Sequence, residues 1–478
     1  MSEARESSWR IERADQMAVI IDAEDYFTTA RQALLQARRR IMLVGWDFDS
    51  RVDLHVAARL PGEPAQIGEL LSWLVDRNPD LHLYLLRWDT GAFKGLFRAS
   101  TAFRLLKWMR HPRIHLKLDG HHPTASSHHQ KIVSIDDCFA FCGGIDMTDA
   151  RWDTRAHHDE DPGRTNAGGK PYKPWHDATS ALSGPAAKAL ARSCRDRWQR
   201  ATGETLEPVE GESECWPKGL TPTFTAVDVA IARTHPKMDD QEPVYEIEAL
   251  FLEQIAAARR WLYCESQYFA SRRVAEAIAR RLDEPDGPEI VIINPQTAEG
   301  WLQPIAMDSA RARLVRALQA RDRHGRLALY HPFTAGGAPI YVHAKITIVD
   351  DAQLRIGSAN LNNRSMRLDT ECDVSVDAAR NPDGALEPAI AGIRNGLLAE
   401  HLAVPVEQVG ALLAQTGSLI AVIERLRGPG HSLSPYQLPE LTAATQWLAD
   451  HEVLDPESPE EVFEPIAGGG LLRRLRRR

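Results

Sequence analysis

His129-Gln130-Lys131-Ile132-Val133-Ser134-Ile135-Asp136 and His343-Ala344-Lys345-Ile346-Thr347-Ile348-Val349-Asp350 are two copies of one pattern. In each copy a lysine stands two residues after the histidine and an aspartate seven after it. A pair of small residues follows at fourteen and fifteen: Gly143-Gly144 in the first copy, Gly357-Ser358 in the second. Agreement at so many positions marks an internal duplication. On a strand, residues two apart share a face, so each imidazole is expected beside its ammonium group. Ile132, Ile135, Ile346 and Ile348 suit a buried strand, and Asp136-Asp137 and Asp350-Asp351 suit the turns that end it.

Working outward, each copy has a matching segment upstream. Tyr26, Phe27, Ala30, Ala33, Leu34 and Ala37 recur at helical spacing before Arg38-Arg39-Arg40 and the β-rich Ile41-Met42-Leu43-Val44. In the second half Ile247, Leu250, Phe251, Ile255 and Ala258 precede Arg259-Arg260 and Trp261-Leu262-Tyr263-Cys264. Helix, arginines and strand recur in one order, which predicts an α/β chain of two similar halves. The boundary is expected between 203 and 240, where Gly, Pro and Glu are frequent. The domain reading is a first lobe over 1–205, a second over 206–405, and a helical extension with a basic tail over 406–478.

Composition narrows the function classes. The chain has 478 residues, 43% of them hydrophobic and 26% charged, as in an ordinary globular protein. A formal charge of -9 gives no global electrostatic case for nucleic acid, and none is expected as a partner. The N-terminus has mixed charge with no apolar run behind it, and no stretch approaches the length of a spanning helix. The expected location is cytoplasmic, with peripheral contact at the inner face of the membrane if the substrate is a lipid. Six scattered cysteines suit reduced, mostly buried thiols rather than zinc ligands. No metal site and no cofactor are expected.

Two histidines and two lysines brought together suit in-line displacement at a phosphodiester. One imidazole attacks phosphorus, the other protonates the leaving alcohol and later deprotonates water, and the lysines neutralise the nonbridging oxygens. The imidazoles need orienting groups. Strand-like runs led by an acid, Asp177-Ala178-Thr179-Ser180-Ala181-Leu182 and Glu371-Cys372-Asp373-Val374-Ser375-Val376, follow the small-residue pairs and offer Asp177 and Glu371 for that task. The small pairs, Gly144 and Ser358 among them, are expected to keep the pocket floor open to phosphate. Asp136 and Asp350 are read as structural.

At these residues the chain resembles the phospholipase D superfamily, whose signature is His-x-Lys-x4-Asp followed by Gly-Gly or Gly-Ser. The likeness extends to Gly143–Asp149, Arg151-Trp152-Asp153-Thr154 with His157, Pro174-Trp175-His176-Asp177, and Gly184-Pro185-Ala186-Ala187 ahead of Arg197-Trp198. In the second half it includes Tyr263–Phe269, with Ser266 where the family has asparagine, Tyr341–Asp351, and Ile356–Ser365, with Asn363 where aspartate is usual. The resemblance implies two α/β/α-sandwich lobes related by a pseudo-twofold axis, both His-x-Lys pairs in one cleft, and no metal in the core reaction. It implies His129 as nucleophile and His343 as acid/base, with Lys131, Lys345, Asn360 and Asp146 lining the phosphate site. The ordering of the two histidines rests on the resemblance, since the internal symmetry does not distinguish them.

The reaction so implied is release of phosphatidic acid from phosphatidylcholine or another glycerophospholipid, with water or a primary alcohol as acceptor, during transient contact with a membrane surface. The alternatives are a cardiolipin synthase-like phosphatidyltransferase and a nuclease or other phosphodiesterase of the same fold; hydrolysis is placed ahead of both. Phe93, Leu96, Phe97, Phe103, Leu105, Leu106 and Trp108 offer either an acyl-chain rim or an amphipathic helix packed on the core. The arginines near the C-terminus are read as a solvated tail.

Overall fold

The computed structural model describes residues 6–439, apart from 56–58, 90–106, 124–125, 212–214, 299–306 and 383. The first half contributes β1 (Arg10–Ile21), β2 (Arg40–Gly45), β3 (His82–Trp88), β4 (Ile114–Asp119), β5 (Ile132–Ile135), β6 (Phe139–Gly143), β7 (Trp175–His176) and β8 (Ala178–Ser183). The second contributes β9 (Phe224–His235), β10 (Val244–Tyr245), β11 (Trp261–Glu265), β12 (Glu289–Ile293), β13 (Leu327–Phe333), β14 (Tyr341–Val342), β15 (Ile346–Val349), β16 (Gln353–Gly357) and β17 (Glu371–Asp377). A last strand, β18 (Ser432–Pro435), comes from the C-terminal extension.

One sheet crosses the whole molecule in the order β18-β13-β12-β11-β15-β16-β17-β9-β1-β8-β6-β5-β2-β3-β4. Outward from the central β9–β1 pair the two sides repeat each other, β1-β8-β6-β5-β2-β3-β4 against β9-β17-β16-β15-β11-β12-β13. The join is antiparallel, running from Arg10 opposite Ile231 to Met17 opposite Phe224. Two lobes thus share a continuous sheet about a pseudo-twofold axis. β9 occupies 224–235, inside the span expected to hold the boundary. Its alternating Val227, Val229 and Ile231 fill a central strand, and the polar residues around it hid that alternation.

Helices on both faces follow from the apolar stripes. Ala23–Gln36 buries Tyr26, Phe27, Ala30, Ala33 and Leu34, while Glu246–Ala257 buries Ile247, Leu250, Phe251 and Ile255. Each of these helices packs into the core of its own lobe. On the opposite face Pro185–Thr202 and Leu386–Leu402 cover a core made by both lobes together, containing Trp198, Ile231, Val374, Ile390 and Leu397. Each large apolar side chain buried there stabilises the fold by about 1.5–3 kcal/mol, and the gain belongs to the joined halves.

The duplicated aspartates serve the junction between helix and strand. Asp136 accepts the backbone N–H groups of Arg38, Arg39 and Arg40, each at 2.7 Å. Asp350 accepts those of Arg259, Arg260 and Trp261 at 2.5, 2.7 and 2.8 Å. Both sit in left-handed backbone, φ 49° and 51°, where short polar side chains are tolerated.

Three expectations change. The His-x-Lys pairs lie in the extended approach to β5 and β15, which begin one residue after each lysine, rather than on the strands. Cys138 and Cys215 form a disulfide across 77 residues of sequence, with Cα atoms 6.0 Å apart, so not all thiols are reduced; Cys142, Cys194, Cys264 and Cys372 are free and buried. The segment after 405 holds the helices Val406–Thr416 and Leu419–Leu426 and also β18, antiparallel to β13. For Trp108 the core-packing alternative holds: it is fully buried and donates its indole N–H to Ser72 at 2.8 Å. Phe93, Leu96, Phe97, Phe103, Leu105, Leu106 and the basic tail lie outside the described residues.

Among the described residues no single helix is long and apolar enough to cross a membrane. Leu386–Leu402 with Val406–Thr416 meets that length and composition only as a pair bent by 111°. Ile390, Leu397 and Leu398 of the first of these helices are buried in the shared core.

Candidate active site

The two histidines are fixed by backbone bonds that cross between lobes. The His129 N–H donates to the Thr370 carbonyl at 2.9 Å, and the His343 N–H donates to the His176 carbonyl at 2.7 Å. Around them, β14 runs parallel to β7, pairing Tyr341 with Trp175 and Val342 with His176. The bridge between His128 and Thr370 is its symmetry counterpart. Each histidine is thereby set beside the residue preceding the other lobe's acid.

The result is an exchange of orienting carboxylates. His129 Nδ1 lies 3.1 and 3.0 Å from the two carboxylate oxygens of Glu371. His343 Nδ1 lies 2.6 Å from Asp177 Oδ2. A carboxylate on Nδ1 fixes that nitrogen as the donor and leaves Nε2 for chemistry. Asp177 and Glu371 thus stand where the sequence offered them, each against the histidine of the opposite lobe.

The lysines fold back on their own histidines. Lys131 Nζ donates to the His129 carbonyl at 2.6 Å and stands 3.3 Å from Asp146 Oδ2; Lys345 Nζ donates to the His343 carbonyl. Burial pushes the Lys345 ammonium down to about 7, with Asp177 opposing and Lys131 adding to the shift. Burial, then Lys131 and Lys345, holds the His129 imidazole well below its usual range. For His343 the depressing groups are burial and Lys345. Charges from both repeats act on one another, so the four groups form one site.

The two acids differ. Burial pushes the Glu371 carboxyl up to about 8, against the pull of Lys131 and of the Ser358 and Ser365 hydroxyls, which donate to it at 2.5 and 2.6 Å. Burial would raise Asp177 too, but His343 and Lys345 outweigh it and hold that carboxyl below the ordinary range. Asp177 is the better stabiliser of an imidazolium ion.

The small-residue pairs make room for carboxylates rather than for phosphate. A Cβ on Gly144 would collide with Asp177 Oδ1, and one on Gly357 would collide with Asp373 Oδ1. Ser358 supplies a donor to Glu371. Asn360 faces Gln267 and Ser266 at 3.5 Å, and its backbone N–H donates to Ser365 Oγ at 3.0 Å. Aromatic rings flank the imidazoles: Trp46 stands edge-on to His129 at 6.4 Å, and Trp175 lies 5.1 Å from His343, stacked on Tyr341 at 4.7 Å and covered by the Arg151 guanidinium at 4.1 Å. Trp46 and Ser365 were not singled out as site residues. For Trp46 the available signal was its place at the end of β2, where a parallel strand delivers side chains to a cleft. Among the described residues, the groupings with metal-ligand spacing are Asp22, His157, His176 and Glu400, and His176, Glu265 and His401; neither includes His129 or His343.

A family described as "Cardiolipin synthase, PLD-like domain" matches residues 251–383. Phospholipase D A of Dictyostelium discoideum is 24% identical over 418 residues, covering 72% of this chain and 31% of that protein. Phospholipase D alpha 1 of Carica papaya is 23% identical over 521 residues, covering 79% and 63%. The chain thus spans less than two thirds of the length of these relatives. In three dimensions it is similar to the phosphatidylserine synthase of Haemophilus influenzae, with a TM-score of 0.56 at 13% identity over 87% of this chain and 97% of that one. The duplicated fold, the paired His-x-Lys motifs and these matches support an assignment to the phospholipase D superfamily.

Proposed function

We propose that the chain is a phosphatidyl-transferring enzyme that moves the phosphatidyl group of a glycerophospholipid to an acceptor hydroxyl through a phosphohistidine intermediate. The exchanged pairs, His129 with Glu371 and His343 with Asp177, carry this reading, because two oriented imidazoles at one phosphate are what a two-step displacement needs. His129 Nε2 attacks phosphorus and forms the P–N bond as the P–O bond to the headgroup breaks. His343, protonated and stabilised by ionised Asp177, gives its proton to the departing oxygen. In the return step His343 takes the proton of the acceptor hydroxyl, whose oxygen displaces His129. Lys131 and Lys345 neutralise the nonbridging oxygens. The contrast between Asp177 and Glu371 supports this order of roles.

An alcohol as acceptor, which makes the reaction synthase-like, is supported by the cardiolipin synthase description of the family matched over the second lobe. Water as acceptor, giving phosphatidic acid, is the second reading, and the names of the phospholipase D relatives favour it. Both readings place the protein transiently at a membrane surface. The deciding experiment supplies phosphatidylcholine and phosphatidylglycerol vesicles with glycerol or ethanol, and quenches for acid-labile phosphatidyl-enzyme. Transfer products and label lost in His129→Asn are expected. Label retained in that variant, or phosphatidic acid alone at high alcohol, overturns the corresponding part. Cleavage confined to single-stranded DNA overturns the substrate class.

A further inference from the structure

Behind Asp177 lies a second cluster of ionisable groups that the proposed reaction does not use. Asp22, at the end of β1, is buried at 1% exposure and pairs back to back with Asp177: the Asp22 N–H donates to the Asp177 carbonyl at 2.8 Å, and Asp22 Oδ1 accepts the Asp177 N–H at 3.0 Å. Around Asp22 stand His157, His176 and Glu400, all buried. His157 Nε2 lies 3.4 Å from Asp22 Oδ2 and 3.2 Å from Glu400 Oε1. His176 Nδ1 lies 3.2 Å from Asp22 Oδ1 and 2.8 Å from Glu400 Oε1. Asp22 Oδ2 and His176 Nδ1 make no hydrogen bond of acceptable angle despite these short approaches.

We infer that Asp22, His157, His176 and Glu400 form a binding site for one divalent transition-metal ion, with zinc the best fit to two imidazoles and two carboxylates. The four donor atoms all lie within 4.8 Å of one another. Zinc bonds of about 2.0–2.2 Å in a tetrahedron put ligand atoms about 3.3 Å apart, close to the separations already present. The outer nitrogens are held as metal-binding histidines usually are. His157 Nδ1 faces Asp153 at 3.1 Å, and His176 Nε2 faces Glu265 at 2.8 Å.

Charge balance agrees with the geometry. Asp22, Asp153, Glu265 and Glu400 are answered by two guanidinium groups, Arg155 on Glu400 and Arg164 on Asp153, while Glu265 also meets His401 at 2.9 Å. Two negative charges are left for the histidines or an ion to offset. A groove of about 630 Å³ lined by Arg155, His157, Glu400 and His431 opens beside the cluster. Through the Asp22–Asp177 ladder and the His176 carbonyl that receives His343, the ion would stiffen the support of the His343–Asp177 pair.

The test uses the full chain, stripped with a chelating resin and dialysed against zinc chloride, with metal content read by mass spectrometry. One zinc per chain is expected. Affinity should fall by at least about 100-fold in Asp22→Asn and in His157→Gln and survive in His343→Asn. Should the cluster variants fail to fold, anomalous scattering at the zinc edge from crystals of the unsubstituted protein locates the ion. No bound zinc, zinc retained by both folded cluster variants, or an anomalous peak between His129 and His343 overturns the inference.

Discussion

Replacing Asp177 with asparagine removes a charge and almost no volume from a fully buried position, 2.6 Å from His343 Nδ1. An imidazolium ion and a carboxylate with charge centres about 4 Å apart attract by about 4 kcal/mol at an effective dielectric near 20. Since about 1.4 kcal/mol is a factor of ten, the protonated state of His343 should become about a thousandfold harder to reach. That proton is needed by an alkyl headgroup and hardly at all by p-nitrophenol. With a p-nitrophenyl phosphodiester, Asp177→Asn should therefore release one equivalent of p-nitrophenol in a fast burst and then stall. The stall arises because the same residue must deprotonate the acceptor. Glu371→Gln should behave oppositely, with the burst itself slowed, because Glu371 orients the attacking ring. Stopped-flow absorbance distinguishes the two. Equal burst rates in the two variants, or no burst in Asp177→Asn, would refute the exchanged assignment.

Other outcomes can be checked as directly. On the proposed reading the charged form of Lys345 neutralises phosphate, and burial lowers this ammonium to about 7, so kcat/KM should fall about tenfold per pH unit above that value. Lys345→Arg should move this limb to higher pH. Asp136→Ala strips the acceptor from three backbone N–H groups and places alanine at a positive φ, costing about 3 kcal/mol. Denaturant titration should show that loss while folded protein keeps its turnover. Thiol titration of unfolded, unreduced protein should find four free cysteines, and six after reduction.

Much of this was legible because the reactive residues are local repeats. A His-x-Lys-x4-Asp block with its small pair sits within sixteen consecutive positions, and the helix–arginine–strand segments repeat with it. The exchange was not legible. Which histidine meets which acid is a relation between residues 242 or 166 positions apart, and neither local pattern carries it. The strand placement failed for a related reason: β5 and β15 start only where antiparallel partners exist, after the lysines. Cys138 and Cys215 meet because the chain between the lobes returns to the β5–β6 turn. The cluster of Asp22, His157, His176 and Glu400 was hidden because its members come from distant stretches of the chain, with no local ligand spacing to mark them.

The unequal acids give the cleft a direction. With identical acids a phosphodiester could lie either way round, and its two ester oxygens would be interchangeable. Asp177 is one methylene shorter than Glu371, and the serine hydroxyls of residues 358 and 365 attend only the longer side chain. The oxygen facing His343 meets the better proton source, so the bond that breaks is chosen by where the proton waits. On the proposed reading, discrimination between the diacylglycerol side and the headgroup side therefore begins at the phosphorus atom itself.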